Sequence, residues 1–302
     1  MENKNKIYIG VDFGGTKILT GAITEEGKVI CEPIKIPTDS SQKAEIILGN
    51  IIKSIESVLL RIEKKNVTFS GIGLGVTGPL DIKKGIILQC PQLPTMHFFP
   101  LRKAIEKYFD VPVYMNNDAN CLIFGETLFG SGKGKKNVIG FTLGTGLGCA
   151  IILDKQIFEG STGSAGEIWT SSYGNGIIED YVSGAGVSKI YKQICHQEKS
   201  ALDIAMLAEK GNVNALKTWD EFGRHLAVAI SWTINLIDPN IVILGGSIAN
   251  AHKFFSSSLE RKLRDKICPV PSEKTKIVCA KLGANSGFIG AAALSLAINK
   301  KY

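Results

Sequence analysis

One phrase occurs twice in this chain. "IGVDFGGTKILTGAI" at 9–23 and "IGFTLGTGLGCAII" at 139–152 each run apolar strand, glycine–threonine turn, apolar strand. That is the pattern of a β-hairpin whose turn is built on glycine. Short glycine hairpins recur by chance, so the repeat alone does not establish a duplicated fold. Its surroundings narrow the choice. After the first hairpin come a helix at about 41–64, the strand "GIGLGVTG", a helix near 100–108, the strand "VPVYM" and a helix that begins in "NNDANCLIFGETLF". After the second come helices near 184–197, 201–210 and 213–236, the strand "NIVILGG", a helix near 250–266, the strand "KIVCAKL" and a terminal helix "SGFIGAAALSLAINK". Strands alternating with helices make an α/β protein.

With 302 residues, 44% of them apolar, the chain can bury two cores of ordinary size. No low-complexity linker separates the halves. The hinge is therefore expected near Tyr114–Asn116, giving an N-terminal domain of 1–115 plus 287–302 and a C-terminal domain of 116–286, with the last helix crossing back to the first domain.

The net charge of +7 is spread over short pairs such as Lys83-Lys84 and Lys135-Lys136. This suits an anionic small molecule and lacks the basic stripe of a nucleic-acid binder. The seven cysteines are widely separated, several lie in apolar runs, and none forms a C-x-x-C pair. They read as buried reduced thiols of a cytoplasmic protein. "MENKNK" leads straight into a strand without an apolar leader, and no apolar run is long enough to span a bilayer, so no membrane association is expected. His97, His196, His225 and His252 show no metal-ligand spacing, and Trp169, Trp219 and Trp232 read as packing residues.

Several phrases can carry chemistry. In "GVDFGGTK", Gly14, Gly15 and Thr16 let backbone N–H groups face phosphate oxygens, and Asp12 ends the strand where a hydrated cation could sit. A plain hairpin turn is equally compatible. The phrase is neither the P-loop nor the dinucleotide fingerprint. "LGTGLG" at 143–148 carries the same ambiguity. "GSGKGKK" at 130–136 reads as an exposed connection. "YMNNDAN" puts Asn117 and Asp118 between a strand end and a helix, where ligands gather in α/β sheets. Asp118 could be a general base, or a helix N-cap. "VILGGSIA" could lay Gly245 and Gly246 against a nucleoside, or form a tight turn.

Taken in order, "DFGGTK", "GVTGP", "NNDAN", "LGTGLG", "AGE", "VSG", "VILGGSIA" and "SGFIGAA" span nearly the whole chain. This series resembles the ROK family of sugar kinases and repressors. The resemblance implies an actin-like (ribonuclease H-like) two-domain fold with a central cleft, ATP and Mg2+ as cofactors, and a hexose as substrate. It implies that Asp118 takes the proton from the sugar hydroxyl and that Gly78, Asn117, Glu167 and Glu179 hold the sugar. ATP would lie against Asp12, Gly14, Gly15, Thr16, Lys17, Gly144, Thr145, Gly146, Gly245 and Gly246, with Asp12 positioning Mg2+ indirectly. A homodimer is the expected assembly.

The chain also departs from the family pattern. Family members carry a histidine three residues after the first glutamate and a cysteine-rich loop, which together hold a structural zinc. Here Thr170 stands in the histidine position, Ile177 in that of a cysteine, and the segment between the glutamates is shorter. No zinc is therefore expected, and Trp169, Tyr173, Ile177 and Ile178 are expected to pack the segment instead. Gln92 replaces a common Asn beside the sugar. The implied reaction is ATP-dependent phosphorylation of a hexose 6-hydroxyl, of glucokinase type. An N-acetylmannosamine or other N-acetylhexosamine kinase is the alternative, ahead of a fructokinase. A repressor would need a helix-turn-helix before Gly10, for which there is no room, and a non-catalytic sugar-binding regulator would not need the base and both hairpins.

Overall fold

A computed structural model of the chain describes residues 5–299. Met1–Lys4, in the stretch read above as running into the first strand, and Lys300–Tyr302 at the end of the predicted last helix lie outside them. The chain forms two compact units, one of Met1–Gly134, Gly160–Gly163 and Lys281–Tyr302, the other of Lys135–Glu159 and Ser164–Ala280.

The first unit contains β1 (Asn5–Phe13), β2 (Lys17–Thr24), β3 (Ile34–Pro37), α1 (Ala44–Ile62), β4 (Val67–Val76), a small ribbon of β5 (Leu80–Asp81) and β6 (Ile86–Ile87), α2 (Leu101–Glu106), β7 (Val113–Asn117) and α3 (Asp118–Phe129). Its main sheet runs β3-β2-β1-β4-β7. β2 lies antiparallel to β1 and β3, while β1, β4 and β7 are parallel.

The second unit contains β8 (Val138–Leu143), β9 (Leu147–Leu153), β10 (Gln156–Ile157), a ribbon of β11 (Ser172–Tyr173) and β12 (Gly176–Ile177), α4 (Gly184–Cys195), α5 (Ala201–Glu209), α6 (Val213–Ile237), β13 (Ile241–Gly245), α7 (His252–Arg264), α8 (Pro269–Lys274) and β14 (Lys276–Cys279). Its main sheet runs β10-β9-β8-β13-β14, antiparallel across β10, β9 and β8 and parallel from β8 to β14. The twice-written phrase is thus the central hairpin of two sheets with one strand order. The chain then returns to the first unit as α9 (Ser286–Asn299).

Period two on β1 sorts its side chains. Ile7, Ile9, Val11 and Phe13 face Ile47, Ile51, Ile55, Val58 and Ile62, the apolar stripe of α1. Tyr8 on the other face packs with Phe288, Ile289, Ala292 and Leu296 of α9. α9 can lie this close only because the strands carry glycine beneath it: a Cβ at Gly73 would overlap the Ala291 carbonyl. In the second unit, Phe141 and Leu143 of β8 and Leu244 of β13 join Trp219, Phe222 and Phe255 from α6 and α7, with Trp219 stacked on Phe255 at 6.0 Å.

The division falls at Gly134 rather than at Tyr114–Asn116, because α3 packs on α9 and stays with the first sheet. A Cβ at Gly290 would overlap the Cys121 carbonyl of α3. Fully buried Glu126 of α3 accepts from the amides of Ser131 at 2.9 Å and Leu282 at 2.7 Å. One carboxylate thereby holds the residues on either side of the excursion into the second unit. The cysteines are all free thiols, but not all buried: Cys90, Cys121 and Cys149 are, Cys31, Cys195 and Cys279 only in part, and Cys268 is exposed just ahead of α8. Among the described residues no helix is long and apolar enough to cross a membrane.

Candidate functional site

In the first unit the predicted residues gather at the carboxyl ends of three parallel strands. Register pairs Asp12 with Gly75 and Gly75 with Asn116, then Phe13 with Val76 and Val76 with Asn117, so the ends of β1, β4 and β7 form one row. Asp12 lies 3.5 Å from Lys17 Nζ, with its side chain 19% exposed. Burial raises its carboxyl above the usual range, against the opposing pull of Lys17. A Cβ on Gly287, at the start of α9, would come within 2.7 Å of the Asp12 carboxylate.

The turn after Asp12 is closed by Gly14 N–H donating to Lys17 O at 3.0 Å. A residue that the motif does not name fixes it. Fully buried Thr38 donates its hydroxyl to Gly14 O at 2.6 Å and its amide to Thr16 O at 3.0 Å. Gly15 packs on Gln92, whose carbonyl oxygen would sit 2.7 Å from a Cβ there. The glycine at 15 is thus required by a neighbouring loop.

Asn117 rather than Asp118 takes the cap position at this phrase. Asn117 is the N-cap of α3, its Oδ1 accepting from Ala119 N–H at 2.9 Å. Asp118 is the first helical residue, and its Oδ1 accepts from the same amide at 2.7 Å. Two residues missed by motif reading brace the corner: buried Asn116 Oδ1 accepts from Asn117 N–H at 2.8 Å and from Asn120 Nδ2 at 2.9 Å. Gly78 stands against Asn117, whose Nδ2 would lie 3.2 Å from a Cβ there. Burial pushes the Cys121 thiol well up, and both Asp118 and Asp12 push it further, so one buried sulfur senses the two carboxylates.

In the second unit Gly144 N–H donates to Gly146 O at 3.1 Å, and Gly144 O accepts from Gly184 N–H at the start of α4 at 2.8 Å. Thr145 is exposed at the tip. Gly245 ends β13, and Gly246 takes φ 85° where a Cβ would overlap the Leu143 carbonyl, so the glycine turn and "GGS" lie side by side. Glu179 reaches this turn: its Oε2 accepts from Leu147 N–H at 2.8 Å and would sit 2.6 Å from a Cβ on Gly146.

Glu167 is exposed and accepts from Trp169 Nε1. Cys149 nearby is pushed up to about 12 by burial, with Glu167 adding to it. The segment between the glutamates is ordered differently from the expected cluster. Ile178 is fully buried and Tyr173 packs against the core, but Trp169 is 38% exposed, Ile177 is half-buried, and Ile168 packs in their place. His225 of α6 joins them through Tyr173.

These glycine turns, strand-end carboxylates and paired sheets have counterparts among known proteins. The family model described as ROK family matches residues 8–298. The chain belongs to the ROK family. Its two sheets are those of the actin-like ATPase fold found in solved ROK sugar kinases. The N-acetyl-D-glucosamine kinase of Photobacterium profundum is 29% identical over 311 residues, covering 96% of this chain and 99% of that one. The crystal structure of a ROK family glucokinase from Streptomyces griseus, in complex with glucose and AMPPNP, matches with a TM-score of 0.80 at 27% identity, covering 95% of this chain and 98% of that one. A ROK family transcriptional regulator homologous to the E. coli MLC protein shares the fold, with a TM-score of 0.87 at 23% identity over 99% of this chain and 80% of that one.

Proposed function

We propose that this ROK protein is an ATP-dependent hexose kinase of glucokinase type, phosphorylating the 6-hydroxyl, with an N-acetylhexosamine as the alternative acceptor. The observation that carries this reading is the row of strand ends in the first unit, where Asp118 opens α3 just after Asn116 and Asn117, with Gly78 against Asn117 and with Asp12 and the Thr38-pinned glycine turn along the same row. The sugar-kinase relatives support the reaction class.

In this reading Asp118 accepts the proton of the sugar 6-hydroxyl as that oxygen attacks the γ-phosphorus, and the bond to the β,γ-bridging oxygen breaks to release ADP. On this reading Lys17 and the amides of Gly15 and Thr16 would meet phosphate oxygens, as would those of Thr145 and Gly146 in the second unit, and Gly245 and Gly246 would border the nucleoside. Glu167 and Glu179 accept from sugar hydroxyls, Glu179 while tied to the glycine turn by Leu147.

A Mg2+ carried on the nucleotide phosphates fits the residues present, because it needs only one or two carboxylates beside its waters, and Asp12 supplies one. When bound, it neutralises phosphate charge. A structural zinc does not fit this segment, which has no Cys or His between Glu167 and Glu179.

A coupled ADP-release assay over glucose, mannose, N-acetylglucosamine, N-acetylmannosamine and fructose tests the reading. Turnover of at least one is expected, with Mg2+ alone restoring activity after chelation and elemental analysis finding zinc below stoichiometry. Turnover of none sinks it.

A further inference from the structure

The stretch from Glu167 to Glu179 has at its centre an antiparallel ribbon, Ser172 opposite Ile177 and Tyr173 opposite Gly176. Gly174, at φ 56°, makes the first position of its two-residue turn. A ribbon of two residues per strand has no stability of its own, and most of its residues are exposed. What holds it is a set of rings. Tyr173 Oη lies 2.8 Å from His225 Nδ1, and His225 Nε2 faces Glu221 Oε1 at 3.6 Å. The Tyr173 ring meets Tyr181 edge-on at 5.0 Å and Trp232 at 6.3 Å, while Tyr181 lies 4.9 Å from the His225 ring. Tyr181 Oη accepts from Asn175 N–H at 3.2 Å in the ribbon turn, and Lys189 of α4 stands over its ring at 5.2 Å. The ribbon is joined to both flanks: Ser171 donates to Ile168 O and accepts from Ile178 N–H, each at 2.9 Å.

We propose that His225, Tyr173 and Tyr181 are positioning residues that lock the 172–177 ribbon to α6 and so fix the spacing of Glu167 and Glu179 for the acceptor sugar. α6 suits this role because its other face is the core of the unit, with Trp219, Phe222, Leu226 and Ile230 buried. The ribbon is thereby referred to a 25-residue helix anchored along its buried face. Glu221 offers His225 Nε2 only an acceptor, which favours the Nε2–H tautomer and leaves Nδ1 to accept from the Tyr173 hydroxyl. The lock makes no bond to either carboxylate, since Glu167 accepts from Trp169 and Glu179 from Leu147, and it acts on their spacing through the backbone of the ribbon between them. Loosening the ribbon should then alter sugar affinity without touching the base.

The lock rests on the kinase reading only for its consequence, so the first measurement uses no substrate. Amide hydrogen exchange of residues 172–178 is compared in the intact protein and in Tyr173→Phe, His225→Ala and His225→Asn, the last keeping a hydrogen-bonding atom where Nδ1 was. Loss of one half-buried hydrogen bond should speed local exchange by roughly 3- to 10-fold in Tyr173→Phe and His225→Ala, with His225→Asn closer to the parent. On the best acceptor from the panel, KM for the sugar should rise by a similar factor while kcat stays within about twofold. Unchanged exchange at 172–178 in Tyr173→Phe overturns the lock. Faster exchange with an unchanged sugar KM overturns the positioning role. Tyr173→Phe, which removes a single oxygen, decides the matter if His225→Ala does not fold. Failure of every sugar in the panel would count against the kinase reading and leave the exchange result to stand.

Discussion

The cap and the proposed base stand on adjacent residues, Asn117 and Asp118. Asn117 supplies the cap, and Asp118 begins the helix with an oxygen already accepting from Ala119. Asp118→Asn keeps that acceptor and the shape but cannot take a proton. Its kcat should fall by on the order of 10²- to 10⁴-fold, with sugar KM changed less and the melting temperature close to the parent. Steady-state kinetics beside a thermal scan checks this. Retained turnover would make Asp118 structural. Sequence reading left both roles open because Asn and Asp adjoin and either can cap; the backbone register of β7 into α3 decides which does.

At the scale of elements, α9 depends on what the strands lack. It lies across β1 and β4, and Gly73 stands beneath the Ala291 carbonyl. Gly73→Ala has nowhere to put its methyl and must move helix or strand. It should destabilise the protein by roughly 1–3 kcal/mol, the usual cost of overpacking a core, seen as a lower urea midpoint. A midpoint unchanged from the parent would mean that α9 shifts freely. In the sequence "GIGLGVTG" reads as a glycine-rich strand, and nothing local says that a helix from the far end of the chain makes the glycines necessary.

The whole molecule should lose stability in mild acid. Burial lowers the basicity of His225, with Glu221 opposing and Arg224 adding, and burial likewise lowers His252, with Glu260 opposing. Both are neutral, folded or unfolded, above the ordinary value of 6.5. Below it the unfolded chain takes up protons that the folded chain resists, so stability falls as pH drops through and below that value. Asp12 acts the other way: its raised carboxyl is protonated more readily in the folded state, which favours folding as pH falls, in a window beginning above the ordinary carboxylate value of 3.8. Urea midpoints at about pH 7.5, 6.5 and 5.5 should therefore decline, and His252→Asn should flatten part of the decline. A midpoint that rises into acid would contradict this account.

The sequence by itself determined the elements and their order. Apolar runs beside glycine turns gave the main strands, the stretches between them the main helices, and in the structure Asn117, Ser183, Ser200 and Asn212 cap four of those helices by accepting from amides two or three residues on. The written repeat became two sheets of one topology, and the ordered glycine phrases led to the family. These are short-range signals, carried by residues close enough to act on one another before the chain is folded. The tertiary structure alone decided that Thr38 pins the first glycine turn from 24 residues away, that Glu179 reaches back 32 residues to the second, and that Tyr173 rests on His225, 52 residues on. It also left Trp169 exposed and kept α3 with the first unit. Such pairings have no local pattern, because the partners meet only after sheet and helices have packed. A hydroxyl or a ring cannot declare in sequence which distant group it will face.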